Sequence, residues 1–123
     1  MRKMCAINDI ADQVHALAHE KGFHPPGQTE DQFVEMMCNN LHDEISELHE
    51  AWRNNQLRKL CDKAEKMIAL GISPLSCLEE ELADIIIRTL DNAKRLGLDP
   101  QSIVERKHAY NSTRSERHGG KRS

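Results

Sequence analysis

Two segments of the chain, 37 residues apart, carry the same decoration: Leu41, Glu44, Ile45, Glu47, Leu48 and Leu78, Glu81, Leu82, Asp84, Ile85. Apolar residues at i, i+4 and i+7 share one face of a helix, whereas on a strand, with its period of two, they scatter over both faces. At about 100° per residue, with Leu41 at zero, Ile45 falls near +40° and Leu48 near −20°, while Glu44 and Glu47 fall near −60° and −120°. With Leu78 as origin, Leu82, Ile85, Glu81 and Asp84 take the same four angles. Each segment is therefore read as a helix with an apolar stripe bordered by two carboxylates at i, i+3. If the stripes pack against each other antiparallel, an approximate two-fold axis brings the four acids together at the edge of the core. Four acids there would repel one another unless cations neutralise them. An all-oxygen, anionic set without a matched His or Cys suits Mg²⁺ or Mn²⁺. Glutamates at this spacing are also common on solvated helix faces, so spacing alone leaves a metal site and a plain surface both open.

The rest of the chain reads as helical too. Ile7, Ile10, Ala11, Val14, Leu17 and Ala18 follow one helix face until Gly22. Pro25-Pro26-Gly27 is a loop, and Thr29 with Gln32 has the spacing of a capping box that opens a helix running to about Asn54. Leu57, Leu60, Cys61, Ala64 and Ile68 suggest a further amphipathic helix before Gly71 and Pro74. Ser76 with Glu79 predicts a second capping box and a long helix to Gly97, and Asp99-Pro100 an N-cap and first position for a short helix to about residue 110. No run alternates apolar and polar residues convincingly, and only four residues are aromatic (Phe23, Phe33, Trp52, Tyr110), which argues for an all-α fold. At 123 residues the chain suits one domain, read as 1–113, followed by a basic tail, 114–123.

Charge is divided unevenly. Residues 1–105 carry a balance of −8 and residues 106–123 one of +5, so the total of −3 conceals an acidic body and a basic end. The total argues against a strongly basic nucleic-acid binder. No apolar run approaches a membrane span, so a cytoplasmic protein is expected, with Cys5, Cys38, Cys61 and Cys77 reduced and mostly buried. His15 and His19 are spaced i, i+4 without the Glu of a zinc-protease helix and read as surface residues. Glu105 and His108 make a single Glu-x-x-His, where di-iron bundles need two. Trp52 lies on the apolar stripe of its helix, a core or interface position.

Leu41-His42-Asp43-Glu44-Ile45-Ser46-Glu47-Leu48-His49-Glu50-Ala51-Trp52-Arg53 with Glu81-Leu82-Ala83-Asp84-Ile85 resembles the MazG-like all-α nucleoside triphosphate pyrophosphohydrolases, whose signature is an ExxE on one helix and an ExxD on a later one. Lys107-His108-Ala109-Tyr110-Asn111, Arg114, Arg117 and His118-Gly119-Gly120-Lys121 are similar to that family's basic closing segment. The resemblance covers roughly residues 7–121. It implies a four-helix-bundle-like core, here with an inserted helix between Leu57 and Pro74, assembled as a homodimer or a dimer of dimers. It also implies Mg²⁺ held by Glu44, Glu47, Glu81 and Asp84, with Glu44 or Glu47 orienting the attacking water. Lys107, Asn111 and Arg114, with Arg117 and Lys121 beyond them, would meet the phosphates of an NTP or dNTP, and Phe23 and His24, in an exposed loop, would lie near the base. Asp43 stands where the family often has Glu. The competing expectations are a helical adaptor that contacts nucleic acid through the basic tail and a nucleotide sensor without activity.

Overall fold

The structure is a computed structural model that describes residues 6–114. Its helices are α1 (Ile7–Glu20), α2 (Glu30–Arg53), α3 (Ala64–Ala69), α4 (Cys77–Arg95) and α5 (Pro100–Ser112). The described residues contain no strand beyond an isolated bridge between Leu60 and Ser76, so the all-α reading holds.

Local chemistry sets the helix starts. Thr29 Oγ1 accepts from Gln32 N at 3.1 Å while Gln32 Oε1 accepts from Thr29 N at 3.0 Å, which makes the capping box of α2. Ser76 and Glu79 repeat the exchange at 3.1 and 2.9 Å on α4, and the two Ser76 bonds hold the Glu79 carboxyl below its usual range. Ser76→Ala removes the acceptor for the Glu79 amide, and urea denaturation is expected to show a loss of about 1 kcal/mol.

The segment after α2 departs from expectation. The apolar spacing from Leu57 to Ile68 predicts one amphipathic helix, but only Ala64–Ala69 is helical. Its backbone is used otherwise: the amides of Cys77 and Leu78, at the start of α4, donate to Lys59 O and Leu57 O at 2.8 and 2.9 Å, and Cys61 N donates to Leu75 O at 2.9 Å. The first amides of a helix have no partner within it. Here residues 57–61, in turns and one isolated bridge, supply those partners, and carbonyls committed to α4 in this way are not available to a helix over the same residues.

Contacts between side chains give the helix directions. Asp12 meets Lys94 and His15 meets Asp91, so α1 runs antiparallel to α4. Glu44 meets Arg88, and Glu47 lies beside Glu81, so α2 is antiparallel to α4 as well. α1 and α2 are therefore parallel, each packed along α4 and scarcely against each other. Residues 21–29 run back along this pair and bring His24 to Asp91 on α4. α5 attaches at the far end, where Asn8 Nδ2 donates to Asp99 Oδ1 and Gln101 N donates to Asn8 Oδ1.

The core is thin. Phe33 is the one large side chain fully buried among the described residues, with Ala11, Ala18, Cys61 and Ala64 around the interior. Glu44 on α2 turns inward while part of the apolar stripe turns out: Glu44 is 7% exposed, and Ile45 is 53%. Leu82 and Ile86 on α4 and Trp52 on α2 are exposed as well, so Trp52 is not a core residue of the single chain. Cys61 is buried and Cys77 half-buried, but Cys38 is exposed; all three are free, and Cys5 lies outside the described residues.

Candidate metal centre

The antiparallel pairing of α2 and α4 brings Glu44, Glu81 and Asp84 together, with one carboxylate oxygen from each lying within 4.8 Å of the others. Glu47, one turn beyond Glu44, is exposed and stands outside this trio, within hydrogen-bonding reach of the Glu81 carboxyl. Burial first, and then the Glu47 charge beside it, push the Glu81 carboxyl up to about 7. Asp84 is also raised, by burial first and then by Glu44 and Glu80, against the opposing pull of Lys63 and Arg88.

Arg88 partly compensates this negative charge, its Nε donating to Glu44 Oε1 at 2.7 Å. Lys63 Nζ lies 2.8 Å from Glu80 Oε2, a contact that raises the lysine above its ordinary value. Two oxygens stay buried with no hydrogen-bond partner, Glu44 Oε2 and Glu81 Oε2. Unpartnered carboxylate oxygens among like charges are what a hard divalent cation relieves, so the donor set fits Mg²⁺ or Mn²⁺. Arg88→Gln leaves both Glu44 oxygens unpartnered. Because Arg88 is itself half-exposed, the expected cost in the metal-free protein is about 1–2 kcal/mol by urea denaturation.

The acids form the wall between two cavities. The larger, about 410 Å³, is lined by Glu47, Glu80 and Glu81 together with Lys59 and Asn54. The smaller, about 290 Å³, lies in the trough between α1 and α2 over α4, with Glu44, Asp84 and Arg88 toward one end and His24, Asp91 and Asn92 toward the other.

The remaining predicted site residues are placed differently. Phe23 is exposed and lines the smaller cavity. His24, expected in an exposed loop, has a side chain only 4% exposed, because Asp91 captures its ring. That ring lies 5.3 Å from His15 and 5.9 Å from Phe33, so neighbouring rings already occupy its surroundings. Lys107 and Asn111 line a shallow groove on α5 with Ile103 and Val104. Lys107 and Arg114 stand 5.1 and 5.5 Å from the Tyr110 ring centre, and neither they nor Asn111 line the two acid-walled cavities. Arg117 and Lys121 lie outside the described residues.

Sequence reasoning missed Arg88, Lys63 and Asp91. Arg88 and Asp91 follow Asp84 at i+4 and i+7, on the same face of α4, and that continuation of the face was the available signal. His15, expected at the surface, is half-buried with Nδ1 2.8 Å from Asp91 Oδ1. No protein-family model, characterised protein or solved structure matches the chain.

Proposed function

We propose that the chain is a Mg²⁺-dependent nucleoside triphosphate pyrophosphohydrolase of the MazG-like kind, which splits an NTP or dNTP into the monophosphate and pyrophosphate. The observation that carries this reading is the convergence of Glu44, Glu81 and Asp84, with two orphaned carboxylate oxygens, on the wall between two cavities.

Glu44, Glu81 and Asp84 would hold the cation, with Glu47 closing the open side. Bound there, Mg²⁺ supplies charge neutralisation for the phosphates and acidifies a coordinated water. The chain's own groups do the positioning. Arg88 fixes one oxygen of Glu44 and so the direction of the other. Glu47, exposed at the edge of the trio and with no Lys or Arg partner among the described residues, is the carboxylate best placed to accept a proton from the attacking water. In the smaller cavity Phe23 offers a face for a base, and Asn92 offers hydrogen bonds for a sugar. Lys59, on the wall of the larger cavity, would meet the leaving pyrophosphate.

The exposed apolar face belongs to the same reading. Ile45, Leu48, Trp52, Leu57 and Leu78 line a groove together with His49. A homodimer, or a dimer of such dimers, would cover it. Because Lys107, Asn111 and Arg114 line neither acid-walled cavity of their own chain, a second copy is the natural route by which α5 cations reach a triphosphate.

A panel of NTPs and dNTPs incubated with Mg²⁺ and assayed for pyrophosphate tests the reading. Release from at least one nucleotide, abolished by EDTA and reduced on the order of 10²–10³-fold by Glu47→Gln, is expected for loss of one group that acts in the transition state. Absence of pyrophosphate across the panel refutes it.

A further inference from the structure

We propose that His15, His24 and Asp91 form a second metal site, distinct from the acidic one and selective for a borderline transition cation such as Zn²⁺ or Co²⁺ over Mg²⁺. The three residues come from three segments: α1, the returning loop and α4. His15 Nδ1 lies 2.8 Å from Asp91 Oδ1, and His24 Nε2 lies 2.7 and 2.9 Å from its two oxygens. The site is built into the interior, with side-chain exposures of 4% for His24, 11% for Asp91 and 27% for His15.

Charge supports the assignment. A buried carboxylate needs pairing and hydrogen bonds, and among the described residues Asp91 has no Lys or Arg partner, only the imidazoles of His15 and His24. Arg88 and Lys94, three residues to either side, are engaged with Glu44 and Asp12. Two imidazoles and a carboxylate make the donor set that Zn²⁺ and its neighbours take, whereas Mg²⁺ prefers oxygen alone. The two clusters thus differ in kind: oxygen only at Glu44, Glu81 and Asp84, nitrogen-rich at His15, His24 and Asp91.

The present contacts are hydrogen bonds. An ionised carboxylate only accepts, so His15 Nδ1–H and His24 Nε2–H donate to it. Metal binding turns these two nitrogens into ligands and moves each proton to the other ring nitrogen. His24 Nδ1 is buried without a partner, so no bond at that atom holds the ring in its present tautomer. Donor atoms on a tetrahedral cation with bonds of about 2.0–2.2 Å would stand about 3.3–3.6 Å apart, so the contacts would need to open by roughly 0.5–0.9 Å. His24 and Asp91 line the smaller cavity, which gives the ion an entry path and room for water as a fourth ligand.

The test is a Co²⁺ titration of the full chain followed by visible absorption, with Zn²⁺ competition. One equivalent of Co²⁺ is expected to give the strong bands of a low-coordinate nitrogen–oxygen site, to be displaced by Zn²⁺ and to survive excess Mg²⁺. The Glu81→Gln/Asp84→Asn variant should retain the bands. His15→Gln and His24→Gln should weaken Co²⁺ binding more than about 100-fold, above the cost of losing an outer-shell partner. Should His24→Gln lose helicity by circular dichroism, the half-exposed His15 variant decides. Only the weak bands of hydrated Co²⁺, full displacement by Mg²⁺, or bands unchanged in His15→Gln would overturn the assignment. Because the bands do not depend on turnover, failure of the pyrophosphohydrolase reading leaves this result interpretable, and the reverse also holds.

Discussion

Asp84→Asn is expected to keep the helical content of the protein and to lower Mg²⁺-dependent turnover on the order of 10²–10³-fold. The substitution preserves shape and removes one charge from the three acids that converge between α2 and α4. In the absence of metal it should be neutral or stabilising, since burial and neighbouring acids already work against ionised Asp84. A residue whose replacement stabilises the empty protein and disables the loaded one is held for function. Thermal melts and pyrophosphate assays on one preparation measure both halves.

Glu81 extends the same expectation to pH. Its carboxyl is raised from 4.5 to about 7 in the folded protein, so the native state holds that proton more tightly than the unfolded chain. The resulting stabilisation is fully present below the unfolded value and is lost as pH rises through the folded one. The Tm of the metal-free protein should therefore fall between roughly pH 4.5 and pH 7. Glu81→Gln should flatten that slope, and Mg²⁺ should restore stability above pH 7, where the acids are ionised. A Tm that rises across this window contradicts the arrangement.

The second large effect concerns assembly. Ile45 and Trp52 are more than half exposed, on a helix face left open among the described residues. A patch of this kind marks an interaction surface, and the occupant proposed above is a second copy. Trp52→Glu, or Ile45→Glu, should weaken self-association by at least about 2 kcal/mol, roughly 30-fold, as expected for an aromatic anchor. Light scattering across a dilution series reads this as a shift from dimer to monomer. If wild type and variant are monomers at every concentration, the apolar face has another purpose.

What was legible in the sequence was mostly local. Both capping boxes form because a hydroxyl and an amide or carboxyl three residues apart need no tertiary help. The two acidic motifs share a helical phase, and three of their four acids, Glu44, Glu81 and Asp84, meet where α2 and α4 pack antiparallel. Other features depend on partners distant in sequence. The capture of His24 by Asp91 spans 67 residues, and nothing in Gly22-Phe23-His24 announces it. The helix expected over Leu57–Ile68 was lost to the amide donors at the start of α4. The apolar stripes did not meet as expected: Glu44 turned inward and Ile45 outward, a choice that helical phase alone does not make. Lys107, Asn111 and Arg114 fell away from the acids because α5 docks on α1 near Asn8.

The most direct test of the central claim is phosphorus NMR of a turned-over nucleotide. With Mg²⁺ present, the protein should convert the triphosphate into equal amounts of monophosphate and pyrophosphate, and Asp84→Asn should leave the triphosphate intact over the same period. Formation of diphosphate and orthophosphate, or identical spectra from wild type and variant, would contradict the account.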